Sequence, residues 1–388
     1  MRKLKEEVDM MSLRRIFMSG VPPSVALNLA RTRQGWICGP HAFLFLLAPM
    51  LLLMLLAGCA PSSLSPLATR SPARSMPSAA STITAGKARL QVSVVARNLD
   101  TVWALAWDPQ GRLWYTERPG RLAHIGGPQH IITGVVERGE AGLMGLEIDH
   151  QGRFFLMYSA SNENRIVRLE NNGSQTILVS GIQVASNHDG GRLRFGPDGM
   201  LYATTGDATN GDLARPNSGS LNGRILRIDP NNGSFDVFST GHRNPEGLCF
   251  SPDGRLFSTE HGPDHGDEIN IITQGSDGGW PDTSGNGIHN YTPTIAPGGC
   301  TFYNADLIPQ WKGSLLFVTL KDASLRRLTF NANGSVASEE VLYKGQFGRL
   351  RDVRVGPDGA VYLATSNRDG RGNPGPDDDR ILKLTPAP

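Results

Sequence analysis

The sequence of 388 residues has no strongly basic region, and its aromatic residues are few and scattered. Lys and Arg number 38 against 36 for Asp and Glu, and 7% of the residues are aromatic. Seven basic and three acidic residues precede residue 60, so the rest of the chain is slightly acidic. Nucleic-acid binding needs clustered positive charge, commonly with stacking aromatic side chains. The composition therefore excludes a nucleic-acid surface.

An apolar run long enough for an ordinary membrane-spanning helix is also missing. The longest run, residues 42–57, has 16 residues and no charge. This length is typical of the apolar core of a secretory signal, and the Leu-Ala-Gly-Cys at 56–59 resembles the bacterial lipobox. We expect residues 1–58 to be a lipoprotein signal and Cys59 to be lipid-anchored on the periplasmic side of the cell envelope. An uncleaved anchor, or an ordinary signal with a chance cysteine, is the alternative.

Cysteine is scarce, with four residues in the whole chain. Removal of the signal takes away Cys38 and acylation uses Cys59, which leaves Cys249 and Cys300 in the mature domain. An oxidising compartment permits a disulfide between them, whereas two buried thiols are the alternative. The sequence leaves this choice open.

Large apolar residues are few between the signal and the first strand-like segment. Residues 59–88 are rich in Ser, Pro and Ala. Such a composition cannot bury enough surface to offset the entropy lost on ordering. We expect a flexible tether over residues 59–88 and one folded domain over residues 89–388.

A repeated unit runs through the folded domain: a turn containing Gly, followed by alternating apolar residues. Examples are DPQGRLWYTE, GPDGMLYATTGD and GPDGAVYLATS. The turn glycines are 41, 47, 55, 59 and 46 residues apart, the length of a four-stranded propeller blade with insertions. The sequence predicts an all-β, six-bladed β-propeller with four-stranded antiparallel blades, whose functional loops converge on the axis. The six turn glycines are Gly111, Gly152, Gly199, Gly254, Gly313 and Gly359.

The first polar cluster is NHDGGRL, in which His188 stands just before a predicted strand. Asp207 follows the next strand, so the returning chain can bring its carboxylate beside the histidine. A carboxylate partner fixes the tautomer of a histidine base, and Gly190 and Gly191 permit close backbone approach. We interpret His188 as a base with an orienting partner; a histidine in a surface turn is the alternative.

The second cluster is the stretch EHGPDHGDEIN at residues 260–270. Carboxylate and carbonyl oxygens are the ligands that calcium prefers, and Gly262-Pro263 presents bare backbone beside the acids. Zinc bound by His261 and His265 is the second choice, because no cysteine or third histidine stands at ligand spacing. A capped turn with solvated charges is the structural alternative.

The third cluster is cationic. Strand alternation places Arg349 and Arg351 on one face, and Lys321 lies in the preceding blade. Like charges side by side are unfavourable unless anions lie between them. Pairing with Asp352 or Asp322 and binding of a polycarboxylate or phosphate ligand are both compatible with the spacing.

The ordered set of motifs resembles the soluble pyrroloquinoline-quinone (PQQ)-dependent glucose and aldose sugar dehydrogenases, a family that includes the sorbosone dehydrogenases. The likeness covers roughly residues 95–385. Each motif alone is weak, but their order is specific. The family fold is a six-bladed propeller, which the repeats predict independently. The motifs are NHDGGRLRFGPDGMLYATTGD, GHRNPEGLCFSPDGRLF, EHGPDHGDEINII, GGWP, TLKDASLRRL and GRLRDVRVGPDG.

The resemblance implies a role for each cluster. His188 would be the general base for the C1 hydroxyl of the sugar while hydride passes to PQQ, and Asp207 would orient it. Arg243 would stabilise negative charge developing on the quinone oxygens. The implied cofactor contacts are Asn244, Lys321, Arg349, Arg351, Glu140 and His261. The implied calcium-site residues are Gly262 and Pro263, through their carbonyls, with Asp267 and Glu268 supporting this loop or a second calcium.

Three positions depart from the family pattern. Glu140 stands where the family usually has Gln, which adds a carboxylate near the base. His261 occupies a position where glucose dehydrogenases of the family can carry Gln. The DGGWP at 277–281 lacks the usual tyrosine. The loops are also shorter than in the large glucose dehydrogenases, which favours the broad-specificity aldose type and a monomer.

We therefore expect a calcium- and PQQ-dependent dehydrogenase that oxidises the C1 hydroxyl of an aldose to a lactone and passes electrons to a respiratory or dye acceptor. No Gly-x-Gly-x-x-Gly fingerprint for a nicotinamide or flavin cofactor follows a strand. Two alternatives remain: a calcium-dependent propeller lactonase in which His188 activates water, and a non-catalytic propeller that binds a glycan or a protein.

Overall fold

The computed structural model describes residues 82–85 and 88–388, and within them the only helices are two single 3₁₀ turns. These turns span Gly211–Ala214 and Pro309–Trp311, and every other regular element is a β-strand. Nothing in this part of the chain forms a helix long and apolar enough to cross a membrane. The expected all-β class is confirmed.

The strands form six antiparallel blades in chain order, and the first two strands belong to the last blade. The chain starts with β1 (Thr82–Ala85) and β2 (Ala88–Ala96). Blade 1 contains β3 (Val102–Trp107), β4 (Leu113–Glu117), β5 (Arg121–His124) and β6 (Gln129–Ile131). Blade 2 contains β7 (Leu143–Ile148), β8 (Phe154–Ser159), β9 (Glu163–Leu169) and β10 (Gln175–Gln183). Blade 3 contains β11 (Leu193–Phe195), β12 (Leu201–Thr205), β13 (Arg224–Ile228) and β14 (Phe235–Thr240).

The second half of the chain forms the other three blades. Blade 4 contains β15 (Pro245–Phe250), β16 (Leu256–Glu260), β17 (Asp267–Ile272) and β19 (His289–Tyr291); the intervening β18 (Ser276–Asp277) pairs in parallel with β14 of blade 3. Blade 5 contains β20 (Pro297–Tyr303), β21 (Ser314–Thr319), β22 (Leu325–Phe330) and β23 (Val336–Leu342). Blade 6 contains β24 (Leu350–Val355), β25 (Val361–Thr365) and β26 (Ile381–Pro386).

The N-terminal strands close the ring. β2 pairs with β26, so blade 6 takes its fourth strand from the start of the domain, and β1 pairs with β2 at the outer edge. The first strands of successive blades contact one another all the way round, from β3 through β7, β11, β15, β20 and β24 back to β3. The six-bladed propeller with four-stranded blades is confirmed.

The hairpin turns show why glycine recurs at the blade period. All six turn glycines have positive φ, between 74° and 85°, a region that side chains with a Cβ rarely adopt. Apolar residues alternate with polar ones after each turn and pack between neighbouring blades, with Trp103 and Trp311 among the largest fully buried side chains.

Buried ion pairs hold the inner strands together. Arg194 and Arg354 donate to Glu147 at 3.0 and 2.8 Å, and Arg351 donates to Glu246 at 2.7 Å. Each of these pairs joins two different blades. Buried charges of opposite sign that are paired avoid the large cost of an isolated charge.

A disulfide joins Cys249 on β15 to Cys300 on β20, with their Cα atoms 5.8 Å apart. It links blade 4 to blade 5 and settles the choice that the sequence left open. The predicted signal at 1–58, Cys59 and most of the 59–88 tether lie outside the described residues. β1 falls within the predicted tether, so regular structure begins earlier than the composition indicates.

Candidate active site

The predicted site residues lie at one end of the propeller. Each stands just before or at the start of the first strand, just after the second strand, or at the start of the third strand of its blade, and these points meet at one edge of an antiparallel sheet. An open cleft with about 510 Å³ of empty space lies among these loops. Its lining residues are Glu140, Asn187, His188, Arg243, His261, Gly262, Pro263, Asp267, Thr294, Ala296, Lys321 and Arg371.

His188 and Asp207 form a hydrogen-bonded pair in this cleft. His188 Nδ1 lies 2.8 Å from Asp207 Oδ1, and the Asp207 side chain is only 2% exposed. Trp280 Nε1 donates to Asp207 Oδ2 at 2.8 Å. An ionised carboxylate only accepts, so Nδ1 carries the proton and Nε2 keeps its lone pair. Among the described residues Nε2 has no hydrogen-bond partner, and it is therefore available to a guest.

The backbone around His188 explains the glycines near it. His188 has a φ of 62°, and its carbonyl accepts a bond from the Ala208 amide at 3.1 Å. A Cβ on Gly206 would lie 2.0 Å from that carbonyl oxygen. Because glycine permits this approach, the histidine lies against the end of β12, where Asp207 follows.

Arg243 places a positive charge beside the pair. Its Nη1 donates to the His261 carbonyl at 3.2 Å, its backbone amide donates to Glu260, and its guanidinium lies 5.4 Å from the Trp280 ring centroid. Burial lowers the pKa of Arg243, while the carboxylates of Asp207 and Glu260 oppose this shift. A guanidinium remains protonated in proteins, so the charge is permanent.

Asn244 and His261 are hydrogen-bonded to each other. Asn244 Nδ2 lies 3.5 Å from His261 Nδ1, and its Oδ1 accepts a bond from the Gly190 amide at 3.1 Å. His261 Nε2 lies 3.0 Å from the Pro297 carbonyl. Since a carbonyl only accepts, Nε2 carries the proton and Nδ1 accepts. His261 lines the cleft, whereas Asn244 is fully buried behind it.

Asp267 connects two loops of the cleft. Its Oδ1 accepts a 2.8 Å bond from the Gly262 amide, and its Oδ2 accepts bonds of 2.6 and 2.7 Å from the amides of Ile295 and Ala296. Three backbone donors thus satisfy this buried carboxylate. Of the two roles expected for Asp267, the contacts correspond to support of the loop.

Gly262 and Pro263 line the cleft. A Cβ on Gly262 would lie 2.0 Å from the His265 carbonyl oxygen, so this position requires glycine. Nearby, Glu268 accepts amide bonds from Gly285 and Asn286.

The surroundings of Glu268 favour a positive charge. Burial raises the pKa of Glu268, and the nearby carboxylate of Glu260 raises it further. Within residues 88–388, however, no three His, Cys, Asp or Glu side chains converge as metal ligands. The zinc alternative therefore lacks a ligand set: His261 bonds to a carbonyl, and His265, with Nδ1 2.5 Å from Asp264, is largely exposed.

Lys321 lines the cleft and follows the second strand of blade 5, whereas Glu140 precedes blade 2 on the opposite side of the ring. Its Nζ donates to Thr294 Oγ1 at 2.5 Å, and no carboxylate of the described residues lies within ion-pair distance. Thr294 belongs to the loop that Asp267 holds. A lysine fixed by a neutral hydroxyl retains its charge for an anion in the cleft.

Arg349 and Arg351 do not line the cleft. Arg349 donates to Asp369 at 2.8 Å and to the Leu320 carbonyl at 3.2 Å. Arg351 is 3% exposed and reaches Glu246 at 2.7 Å and Asp369 at 3.5 Å. Asp369 therefore separates these like charges, without an external anion. The assignment of both arginines as cofactor contacts stays a prediction.

The sequence named the wrong internal partners for these two arginines. Asp322 pairs with Arg326 at 2.6 Å and Asp352 with Arg192 at 3.2 Å. Arg351 pairs most closely with Glu246 on β15. The partner that both arginines share, Asp369, follows β25 in the long loop before β26. Its position after a second strand was the one signal in the sequence that pointed to this end of the propeller.

Glu140 lies at the mouth of the cleft. Its Oε2 accepts a 3.4 Å bond from the His188 amide, and its Oε1 pairs with Arg371 Nη2 at 2.8 Å. Trp280 lies within the GGWP motif, but the sequence predicted no contact with Asp207. No local signal marked Arg371 or Thr294, whose side chains reach Glu140 and Lys321 from distant loops.

Known proteins resemble this chain in sequence and in fold. The sequence profile described as Glucose / Sorbosone dehydrogenase matches residues 99–373. Aldose sugar dehydrogenase YliI of Escherichia coli is 29% identical, over 79% of this chain and 95% of that protein. Quinoprotein glucose dehydrogenase B of Acinetobacter calcoaceticus is 25% identical, over 76% of this chain and 88% of that protein. The PQQ-bound aldose sugar dehydrogenase of Streptomyces coelicolor superimposes with a TM-score of 0.69 at 32% identity, over 77% of this chain and 98% of that one.

Fold, cleft and similarity together define a β-propeller oxidoreductase. The chain belongs to the glucose/sorbosone dehydrogenase family. The family expected from the ordered motifs is thereby confirmed.

Proposed function

We propose that this protein oxidises the C1 hydroxyl of an aldose to a lactone with PQQ and calcium. The observation that carries the proposal is a histidine, oriented by a buried carboxylate, in the same cleft as a half-buried arginine and a lysine that pairs with no carboxylate of the described residues. Relatives named aldose sugar dehydrogenase and quinoprotein glucose dehydrogenase, one of them solved with PQQ bound, support it.

The donor set of the cleft fits a flat, triply acidic cofactor. Lys321 offers an ammonium that pairs with no carboxylate in the described part of the chain, and Arg243 offers a guanidinium fixed by a backbone contact. These charges bind carboxylate and quinone oxygens strongly where water is partly excluded. Arg349 lies behind Lys321, because it donates a hydrogen bond to the carbonyl of the preceding residue, Leu320. When bound, PQQ supplies the hydride acceptor and calcium the adjacent positive charge.

The backbone of Gly262 and Pro263 fits the expected calcium site. Calcium accepts carbonyl oxygens as ligands, and these two residues face the cleft beside Arg243. Asp267 accepts a bond from the Gly262 amide and so holds the start of this loop in place. The carboxylates of Glu260 and Glu268 lie close enough to interact next to this loop.

His188 performs the proton transfer. Oxidation of the sugar removes a proton from the C1 hydroxyl and a hydride from C1, and the free Nε2 of His188 accepts the proton. Asp207 then stabilises the resulting imidazolium through Nδ1. Arg243, which lines the same cleft, would stabilise negative charge developing on the quinone oxygens.

The remaining parts of the proposal concern the surroundings of the enzyme. We infer that the mature protein is exported and lipid-anchored through Cys59, acts as a monomer, and passes electrons to a respiratory acceptor. The disulfide between Cys249 and Cys300 supports an oxidising compartment.

Reconstitution tests the function. The purified protein is titrated with PQQ in the presence and absence of calcium, and reduction of a dye acceptor is followed with a panel of aldoses. We expect PQQ binding, calcium dependence and sugar-dependent dye reduction. Hydrolysis of a lactone with calcium alone, or failure to bind PQQ together with no sugar oxidation, would remove the proposal.

A further inference from the structure

The cleft has two chemically different ends. Lys321 and Thr294 belong to the loops of blade 5 and the loop leading into it, and Lys321 carries an unneutralised charge. Glu140 precedes blade 2, and Arg371 lies in the last loop of blade 6; there the two opposite charges meet at 2.8 Å. His188 and Arg243 also line the cleft. One end is thus positive, and the other is neutral overall but rich in hydrogen-bonding groups.

The neutral end is built from three separate loops. Arg371 Nη2 contacts Glu140. In the orientation of the Asn187 side-chain amide in which its nitrogen donates to the Ser186 carbonyl, its oxygen accepts a 3.1 Å bond from the same Arg371 nitrogen. The Arg371 amide also donates to Asp369 Oδ1 at 2.9 Å, which anchors the loop. The ion pair crosses from blade 6 to blade 2, so it borders the cleft beside His188 rather than lying on an outer surface.

Both members of the pair are accessible. The Arg371 side chain is 55% exposed and that of Glu140 22%. A guanidinium has five N–H donors and a carboxylate four acceptor positions, so the pair leaves several of each unused. Hydroxyl groups donate and accept, which makes a paired donor and acceptor suitable for a neutral sugar.

We propose that the Glu140–Arg371 pair is the charge-selective wall of the sugar subsite, which favours neutral aldoses over acidic and amino sugars. The proposal rests on the proposed function, because the positive end of the cleft is assigned to the acidic cofactor. The pair carries no net charge, so a sugar carboxylate or ammonium gains little net attraction there to offset the water that it loses in the cleft. Glu140, expected from the resemblance among the cofactor contacts, is then a substrate contact.

Removing one charge at a time should move the preference in opposite directions. Glu140→Gln leaves Arg371 unpaired and should raise kcat/KM for glucuronate relative to glucose about tenfold, which is about 1.4 kcal/mol. Arg371→Gln leaves Glu140 unpaired and should raise the ratio for glucosamine relative to glucose by about the same factor. The double variant restores neutrality, and both ratios should return to within about threefold of wild type.

A surface ion pair at the other end of the propeller provides the matched control. Arg227 donates to Asp198 at 2.8 Å, with side chains 29% and 35% exposed. Asp198 lies in the turn between β11 and β12, at the end of these strands away from His188 and Asp207. Arg227→Gln should leave both sugar ratios at their wild-type values.

Two binding measurements separate this inference from the proposed function. PQQ affinity, followed by fluorescence titration, should stay within about threefold in all variants. Calorimetry with methyl glucoside and methyl glucuronide, whose C1 oxygen is blocked, should show the shift of preference without turnover. Unchanged ratios and glycoside affinities in both single variants would overturn the inference, as would a tenfold loss of PQQ affinity with unchanged sugar preference. A wild type that binds glycosides with the expected selectivity but neither binds PQQ nor oxidises sugars would refute the proposed function alone.

Discussion

Two histidine–carboxylate pairs lie near each other along the chain and differ in what surrounds them. His188 Nδ1 is 2.8 Å from Asp207, and His242 Nδ1 is 2.9 Å from Glu260. His242 is fully buried, and its Nε2 lies 2.8 Å from Ser239 Oγ. His188 is partly exposed, and its Nε2 faces the cleft.

A carboxylate contact alone therefore does not identify a histidine as a base. In both pairs the contact fixes the tautomer, but only in the first is the other ring nitrogen left for a substrate. The second pair uses both nitrogens to hold the loop before β15, in which Arg243 also bonds to Glu260. One pair is therefore placed for chemistry and the other for structure.

The His188–Asp207 pair leaves Nε2 of the histidine free toward the cleft, and we call it the open pair. Weakening it should reduce turnover more than any other change considered. In Asp207→Asn the amide no longer stabilises a protonated His188, so kcat should fall about 100- to 1,000-fold. The measurement is kcat on glucose with saturating PQQ and calcium, with circular dichroism to verify folding. A kcat within threefold of wild type would show that Asp207 does not assist the base.

In the His242–Glu260 pair both ring nitrogens are hydrogen-bonded, and we call it the closed pair. Weakening it should lower stability rather than turnover. His242→Gln breaks buried hydrogen bonds to Glu260 and Ser239, and we expect the free energy of unfolding to fall by about 2–4 kcal/mol. Turnover per folded molecule should stay within about threefold. Denaturant unfolding and active-site titration with PQQ give both quantities. A large loss of turnover with unchanged stability would reverse the comparison.

Asp189, which follows His188 in the chain, should make the stability of the fold depend on pH. Burial raises the pKa of Asp189 to about 7, and its Oδ2 has no partner among the described residues. The folded protein then binds this proton more tightly than the unfolded chain, whose Asp pKa is about 3.9. Stability should therefore fall as the pH rises from about 4 to about 7 and stay level above that.

Asp189→Asn tests this dependence, because the amide oxygen can still accept from Asn164 and the Ala185 amide. The variant should be more stable than wild type by about 2 kcal/mol at pH 8 and no more stable at pH 4. Urea unfolding at the two pH values measures it. Equal stability at pH 8 would show that Asp189 is ionised without penalty in the fold.

The smallest effect concerns the serine that closes the second pair. Ser239→Ala removes the partner of His242 Nε2, and we expect a loss of about 1–2 kcal/mol with no change in the sugar oxidised. Thermal unfolding compared with His242→Gln shows how much of the closed pair depends on this contact. A loss as large as that of His242→Gln would assign the whole effect to Ser239.

The propeller was predictable because its turns must repeat. Gly111 and the five later turn glycines adopt positive φ at the blade period, and apolar alternation follows each of them. The strand-to-strand return likewise predicted that Asp207 would meet His188. The partners of Arg349 and Arg351 were not predictable in this way, because Asp369 lies in a long loop whose path depends on tertiary contacts.

The same limit applies to the mouth of the cleft. Glu140 and Arg371 are separated by more than 200 residues and by one blade, so no local pattern brings them together. The disulfide is similar: the sequence supplied two cysteines, but only the ring of blades places β15 beside β20.

The central claim is that His188 takes the proton from the C1 hydroxyl. Its most direct test is a single turnover: wild type and His188→Gln are loaded with PQQ and calcium, mixed with glucose without an electron acceptor, and the absorbance of bound PQQ is followed. If His188 is the base, PQQ affinity should be equal within about threefold, and reduction of PQQ should be at least about 100-fold slower in the variant. Reduction by His188→Gln at a rate close to that of wild type would contradict it.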